Sequence, residues 1–367
     1  MDLFSPIRVG RYELPSRIVM APMARARSGD DRAPGPMVAE YYAQRASAAL
    51  IVTEASSVSP LSVSRPHASA IFHDRHVAGW RRVAGRVHDK GGLIFQQLYH
   101  LGRKSDPSRM PDGARPVAPS AIAAKGQVAG ADGPIDFALP RALATDEIPA
   151  VAAEFRAAAV NARDAGMDGV EIHGANAYLI DQFLRDGSNR RTDRYGGSIA
   201  NRARFLLEIV DAVIDVWGAD RVGVRLSPHA RGDGIGDSDP AAIFGHAAGA
   251  LAERGVAYLH VIEAQVPGLP QSPPPGAAPV LPVMRRAFRG PLIVNGGYTR
   301  ALADQVIQSG AADLVAFAAL FIANPDLVER FRRNAPFNPP DPSSFHNGGA
   351  KGYIDYPTLD QAQGAAE

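Results

Sequence analysis

A single α/β domain, a (β/α)8 (TIM) barrel over residues 1–367, is the fold this sequence predicts, on three observations. Eight short apolar runs bounded by turn residues recur along the chain, and each is followed by a segment of helical periodicity. No Pro/Gly/Ser linker divides the eight units into halves. Apolar strands alternating with helices demand a parallel sheet covered by helices, and eight such units in 367 residues suggest closure into a barrel. The open doubly wound alternative would need fewer strands and usually a Gly-rich first turn, and no G-x-G-x-x-G is present.

In chain order the strand runs are 17–21, 50–53, 93–98, 169–172, 222–226, 258–262, 292–295 and 314–317. The helical segments are 37–48, 75–90, 146–165, 199–217, 240–254, 280–288, 300–308 and 325–333. Three stretches fall outside this alternation: 99–144, 263–279 and a Pro-rich tail, 335–367, expected to pack on or over the barrel. The first two leave strand C-termini, which places them over the catalytic face of a barrel. Six prolines in 267–279 make a stiff, irregular loop, read equally well as a lid or a plain surface insertion.

Composition narrows the chemistry. With 46% hydrophobic residues the chain can bury a full core, and 39 basic against 38 acidic residues leave no electrostatic footprint for nucleic acid or anionic membrane. Zero cysteines exclude disulfides, thiolate zinc sites, iron–sulfur clusters and cysteine nucleophiles. The four lysines (Lys90, Lys104, Lys125, Lys351) lie off the strand runs, which disfavours Schiff-base chemistry. No apolar run approaches ~18 residues and the N-terminus lacks a signal pattern, so a cytoplasmic location is expected. No metal site is expected from the ten histidines; His73 and His76, one helical turn apart, read as a solvated pair. A G-x-S-x-G elbow is also missing.

Active groups in a barrel sit where strands end. Those positions hold Pro22 and Ala24, Glu54 and Ala55, Gln97 with Tyr99 and His100, then His173, Asn176 and Tyr178. Strand five ends in Arg225, strand seven in Asn295, Gly296 and Gly297, and strand eight in Ala318 and Ala319. Two neutral donors such as His173 and Asn176, converging on one oxygen, polarise a carbonyl, and Tyr178 suits proton delivery to the adjacent carbon. Spacing alone equally allows His173 and Asn176 to cap a helix beginning near Ala177. Arg225 ends an apolar strand and needs an anionic partner, either Glu54, Glu171 or a ligand. The Gly296-Gly297 turn exposes backbone N–H groups where this fold usually holds phosphate.

The stretches LFSPIRVGRYELPSRIVMAPMARARS, EYYAQRASAALIVTEA, FQQLYHLGR, GVEIHGANAYLIDQFL, NRRTDRYGGSIANRARFLLEIVDAV, VGVRLSP, IANPDL and GYIDYP carry a resemblance over nearly the whole chain. In order and spacing they resemble the Old Yellow Enzyme family of FMN-dependent ene-reductases. The resemblance implies FMN across the barrel mouth, NAD(P)H as reductant, and an electrophilic small-molecule alkene as substrate. It implies that His173 and Asn176 bind the substrate carbonyl or nitro oxygen and that Tyr178 donates the proton. Gln97 would bond the flavin pyrimidine ring, Arg225 would balance reduced flavin, Pro22 and Ala55 would line it, and Gly296 and Gly297 would meet the phosphate. Self-association into a homo-oligomer stays open.

Several positions depart from the family pattern. Ala24 stands where a threonine usually donates to flavin, and Ala318-Ala319 replace a Gly-Arg whose arginine grips the FMN phosphate. Tyr99 stands where tryptophan is common, Ser69-Ala70 replace Pro-Gly, and the usual aromatic near His346 is missing. Three readings follow: an ene-reductase with a weakened hold on FMN, a non-redox isomerase or cyclase using the same donor trio, and a non-catalytic binding protein.

Overall fold

The computed structural model describes residues 1–367 except 64, 130–132, 231, 264–276, 347 and 365–367. Eight parallel strands form its centre: β1 (Ile18–Met20), β2 (Leu50–Val52), β3 (Ile94–Tyr99), β4 (Gly169–Gly174), β5 (Val222–Leu226), β6 (Tyr258–Ile262), β7 (Leu292–Asn295) and β8 (Leu314–Phe317). Each pairs with the next, and β8 returns to β1 with Phe317 opposite Met20, so the sheet is closed. Every predicted strand run is present, with shifts of one or two residues at the ends. The predicted segment 37–48 is shorter as a helix, Pro36–Ala43, and the helix offered near Ala177 is a short one, Leu179–Leu184.

The period-two alternation of strand side chains sorts the barrel interior into layers. Val19, Leu50, Phe95, Tyr258, Ile293 and Leu314 pack together as the apolar lower part, which the hairpin Ile7–Val9 and Tyr12–Leu14 closes from below. Glycines make room for its aromatic rings: a Cβ on Gly223 would lie 2.1 Å from the Tyr258 ring, and one on Gly169 2.5 Å from Phe95. One step up the same alternation come Gln97, Glu171, Arg225, His260 and Asn295, all buried. The register sets them side by side, with Glu171 opposite Gln97 and Arg225 opposite both His173 and His260. The larger core lies outside the barrel, between strands and helices.

The tail is strapped to the loop after β1. Arg25 donates to the carbonyls of Phe345 and Gly352, Arg27 to those of Ser344 and Gly349, and Tyr353 stacks on Tyr41 at 4.1 Å. The loop predicted over 99–144 carries a hairpin, Gln127–Ala129 with Pro134–Asp136, which the sequence reading missed. Most of the Pro-rich stretch 267–279 lies outside the described residues. His76 corrects one expectation: it is fully buried rather than solvated, its Nε2 2.9 Å from the Asp31 carbonyl. Among the described residues no helix is long and apolar enough to cross a membrane.

Candidate active site

A cavity of about 600 Å³ opens at the C-terminal ends of β1 to β5. Pro22, Ala24, Ala55, Gln97, His173, Asn176, Tyr178 and Arg225 all line it. With Glu54 and Tyr99, which also line it, the structure brings together ten of the strand-end positions singled out in the sequence. Gly296, Gly297, Ala318 and Ala319 do not line it; they end the paired strands β7 and β8 on the far side of the mouth.

The local chain path explains the donor group. Asn176 and Ala177 both adopt left-handed φ, 58° and 61°, a conformation that costs an alanine ~1–2 kcal/mol. Hydrogen bonds hold the turn: the Asn176 N–H donates to Ser227 Oγ at 2.9 Å and the Ala177 N–H to Asp181 Oδ2 at 2.9 Å. Asp181 is fixed in turn by Arg185 at 2.7 Å, and both side chains are buried. The helix begins only at Leu179, with Tyr178 as its N-cap residue and no side-chain cap, so the capping role for His173 and Asn176 does not hold.

What remains is a pair of donors with no acceptor between them. His173 Nδ1 accepts the Ala175 N–H at 3.2 Å, which leaves the proton of the neutral ring on Nε2. Burial, together with Arg225, His260 and Lys104, holds its pKa well below the ordinary histidine value, so the ring stays neutral. Asn176 Nδ2 lies 3.4 Å from that Nε2, and two N–H groups cannot satisfy each other. A single oxygen reaching the cavity would satisfy both. The Tyr178 ring packs edge-on against His173 at 4.9 Å and Tyr99 at 5.4 Å. Its hydroxyl has no protein partner among the described residues. Burial raises the phenol pKa, Arg65 and Arg225 oppose the rise, and Asp233 adds to it, so the proton stays on oxygen at neutral pH.

Below this trio lies a buried charge network. Arg225 donates to Asn295 Oδ1 at 2.9 Å, and Asn295 donates to the Ala316 carbonyl at 2.7 Å. Of the two carboxylates offered as partners for Arg225, Glu171 is the one whose charge acts on it, without direct contact. Glu54 instead accepts the backbone N–H groups of Arg25 and Ala26. Burial raises the Glu171 pKa, but His260, Arg225 and Gln97 outweigh it and keep the carboxyl ionised, with His260 Nδ1 at 2.9 Å and Gln97 Nε2 at 2.7 Å. Because Gln97 turns its amide N–H toward Glu171, its carbonyl oxygen is left for another donor. Arg225 Nε is buried without a partner.

The same network tests whether a flavin fits. A cavity of this volume presents a free acceptor (Gln97), a buried cation with an unused N–H (Arg225), and apolar walls at Pro22 and Ala55. That donor set matches a flat, polar-edged ring system. At the turn where the resemblance expects the phosphate, the Gly296 and Gly297 N–H groups donate to no other described residue. Arg285 and Arg300, which flank this turn in the chain, are held elsewhere: Arg285 bonds Asp313 at the opposite end of β8, and Arg300 bonds Asn334 and lies over Phe4.

Four cavity residues with ionisable side chains were not assigned from sequence: Arg65, Lys104, Asp233 and His346. Lys104 and Asp233 are bonded to each other across 129 positions, and His346 Nδ1 donates to the Ala24 carbonyl at 2.8 Å. No local spacing signals such pairs.

Residues 2–338 match the NADH:flavin oxidoreductase / NADH oxidase family profile. The chain is 43% identical to 12-oxophytodienoate reductase 7 of Oryza sativa subsp. japonica, over 98% of this chain and 95% of that one. It is 42% identical to a probable flavin mononucleotide-dependent alkene reductase of Leishmania infantum, over 97% of each. Among solved structures, morphinone reductase superposes with a TM-score of 0.93 at 47% identity, covering 98% of this chain and 97% of that one. The old yellow enzyme homologue from Zymomonas mobilis gives 0.94 at 42% identity, covering 98% and 100%.

Proposed function

The chain belongs to the NADH:flavin oxidoreductase / NADH oxidase family, and from that premise we propose that it reduces the activated C=C bond of α,β-unsaturated carbonyl or nitro compounds at the expense of NAD(P)H. FMN, when bound, supplies the hydride that adds to the β-carbon. Gln97, Arg225, Pro22 and Ala55 would hold its ring, Ala24 would lie beside it without a side-chain donor, and Gly296, Gly297, Ala318 and Ala319 would border its phosphate.

This chain's own residues supply the rest. His173 Nε2–H and Asn176 Nδ2–H hold the carbonyl or nitro oxygen and stabilise the negative charge that gathers there. The Tyr178 phenol then delivers its proton to the α-carbon, so the product gains one hydride and one proton across the former double bond. A cytoplasmic location is part of the same proposal.

The observation that carries the reading is the pair of unsatisfied donors beside an unpartnered phenol in one cavity. Its test is Tyr178→Phe with 2-cyclohexenone. We expect kcat to fall ~10²-fold or more, the usual scale for losing a general acid, while KM changes far less. Nitro-olefins should suffer less, because a nitronate is stable enough to leave unprotonated. An unchanged steady-state rate with the enone would remove Tyr178 from the proton-donor role.

A further inference from the structure

Three cationic side chains face the cavity, and two of them are answered. Lys104 is bonded to Asp233, and Arg225 is held by Asn295 with Glu171 behind it. The remaining carboxylate, Glu54, is engaged by the Arg25 and Ala26 N–H groups. Arg65 differs: among the described residues its guanidinium has neither an ion pair nor a hydrogen bond. Only its backbone carbonyl is engaged, by Arg32.

Its position makes the charge consequential. Arg65 lines the cavity together with Tyr178, Tyr99 and His346, beside the apolar side chains of Ala68 and Leu101. A concave site focuses the field of a charge on its wall more than a flat surface does. The neighbours register that field. Against the rise caused by burial, Arg65 is the charge that most favours ionisation of the Tyr178 phenol, and after burial it contributes most to keeping His346 neutral.

We propose that Arg65 forms an oxyanion subsite, which seats a carboxylate or phosphate carried by the molecule whose reacting end lies between His173, Asn176 and Tyr178. The inference rests on the ene-reductase reading above. A guanidinium presents paired N–H donors in a plane, the geometry that carboxylates and phosphates accept from two at once. The exposed side of Arg65 leaves such an anion partly hydrated, so binding does not require stripping its water entirely. Two molecules could bring the anion: an alkene with an acidic side chain, or the dinucleotide reductant with its phosphates.

The test compares a cyclic enone bearing a carboxylate on a saturated side chain with its methyl ester, which has the same alkene. With the flavin-loaded enzyme, Arg65→Gln should lower the acid-to-ester ratio of kcat/KM about tenfold, as expected for one charge-assisted contact at a half-open site, and Arg65→Lys should restore part of it. If the ratio holds but the KM for NADH and NADPH rises by a similar factor, the oxyanion is the dinucleotide phosphate. If neither quantity moves, the subsite does not exist. Should the parent enzyme reduce neither enone, the ene-reductase reading fails on its own account. Calorimetric titration of acid and ester into parent and Arg65→Gln protein then decides the subsite: a selective loss of acid affinity supports it, and equal affinities overturn it.

Discussion

Ala319→Arg tests the phosphate end of the flavin site. Ala319 lies two residues beyond the end of β8 and its side chain is exposed, so the substitution adds a cation at the end of the strand paired with β7. A hydrogen bond to a charged group contributes ~1.5–3 kcal/mol when well sheltered. Exposure at this position calls for the lower end of that range, since solvent screens surface pairs, and ~1–1.5 kcal/mol corresponds to about tenfold in affinity. Fluorescence titration of the apoprotein with FMN and with riboflavin separates the contributions, because riboflavin has the same ring and no phosphate. We expect the parent to purify only partly loaded, and the variant to bind FMN about tenfold more tightly with riboflavin affinity unmoved. Equal tightening of both flavins would mean that the new arginine meets the ring or reshapes the loop. Absence of any tightening would mean that the phosphate does not lie beside Ala319. If neither parent nor variant takes up FMN at high micromolar concentration, the ene-reductase reading itself fails.

Two further perturbations address the donors and the buried histidines. His173→Ala or Asn176→Ala should weaken the binding of phenolates, which place a charged oxygen between the two donors, by ~1.5–3 kcal/mol each; spectral titration with a substituted phenol reads this, and affinities equal to the parent's would leave the oxygen-binding role empty. His100 is buried with its pKa lowered from 6.5 to about 3, and its Nδ1 accepts the Gly102 N–H at 3.0 Å. Its stabilising effect is complete above pH 6.5, because both folded and unfolded rings are then neutral. As pH falls below 6.5 the unfolded ring takes up a proton that the folded one refuses, and stability drops by up to ~1.4 kcal/mol per pH unit for this residue. Urea unfolding at pH 7.5 and 5.5 should show that slope reduced in His100→Asn, which keeps an acceptor for Gly102; an unchanged slope would refute it.

The barrel was legible because its strands are buried on both faces and so read as unbroken apolar runs. The N-terminal hairpin was not, since strands of three residues carry too few positions for a period to show. The same contrast divides the site. Gln97, His173 and Arg225 stand on strands whose register fixes them, so position in the chain predicted position in the cavity. Arg65, Lys104, Asp233 and His346 come from loops, and only the folded chain brings them to one place.

His173 and Asn176 mark the boundary between these cases. Spacing allowed them to be helix caps or oxygen binders, and the matter turned on where the next helix starts. Two successive left-handed residues delay that start to Leu179 and release both side chains from capping. Asn176 is among the non-glycine residues that enter this conformation most readily, but Ala177 after it is not, and the pair does not advertise the turn as two glycines would. The turn is imposed from outside, by Ser227 after β5 and by Asp181 locked to Arg185. The donor pair is thus set by contacts that span up to 51 residues, and local sequence could name the donors without orienting them.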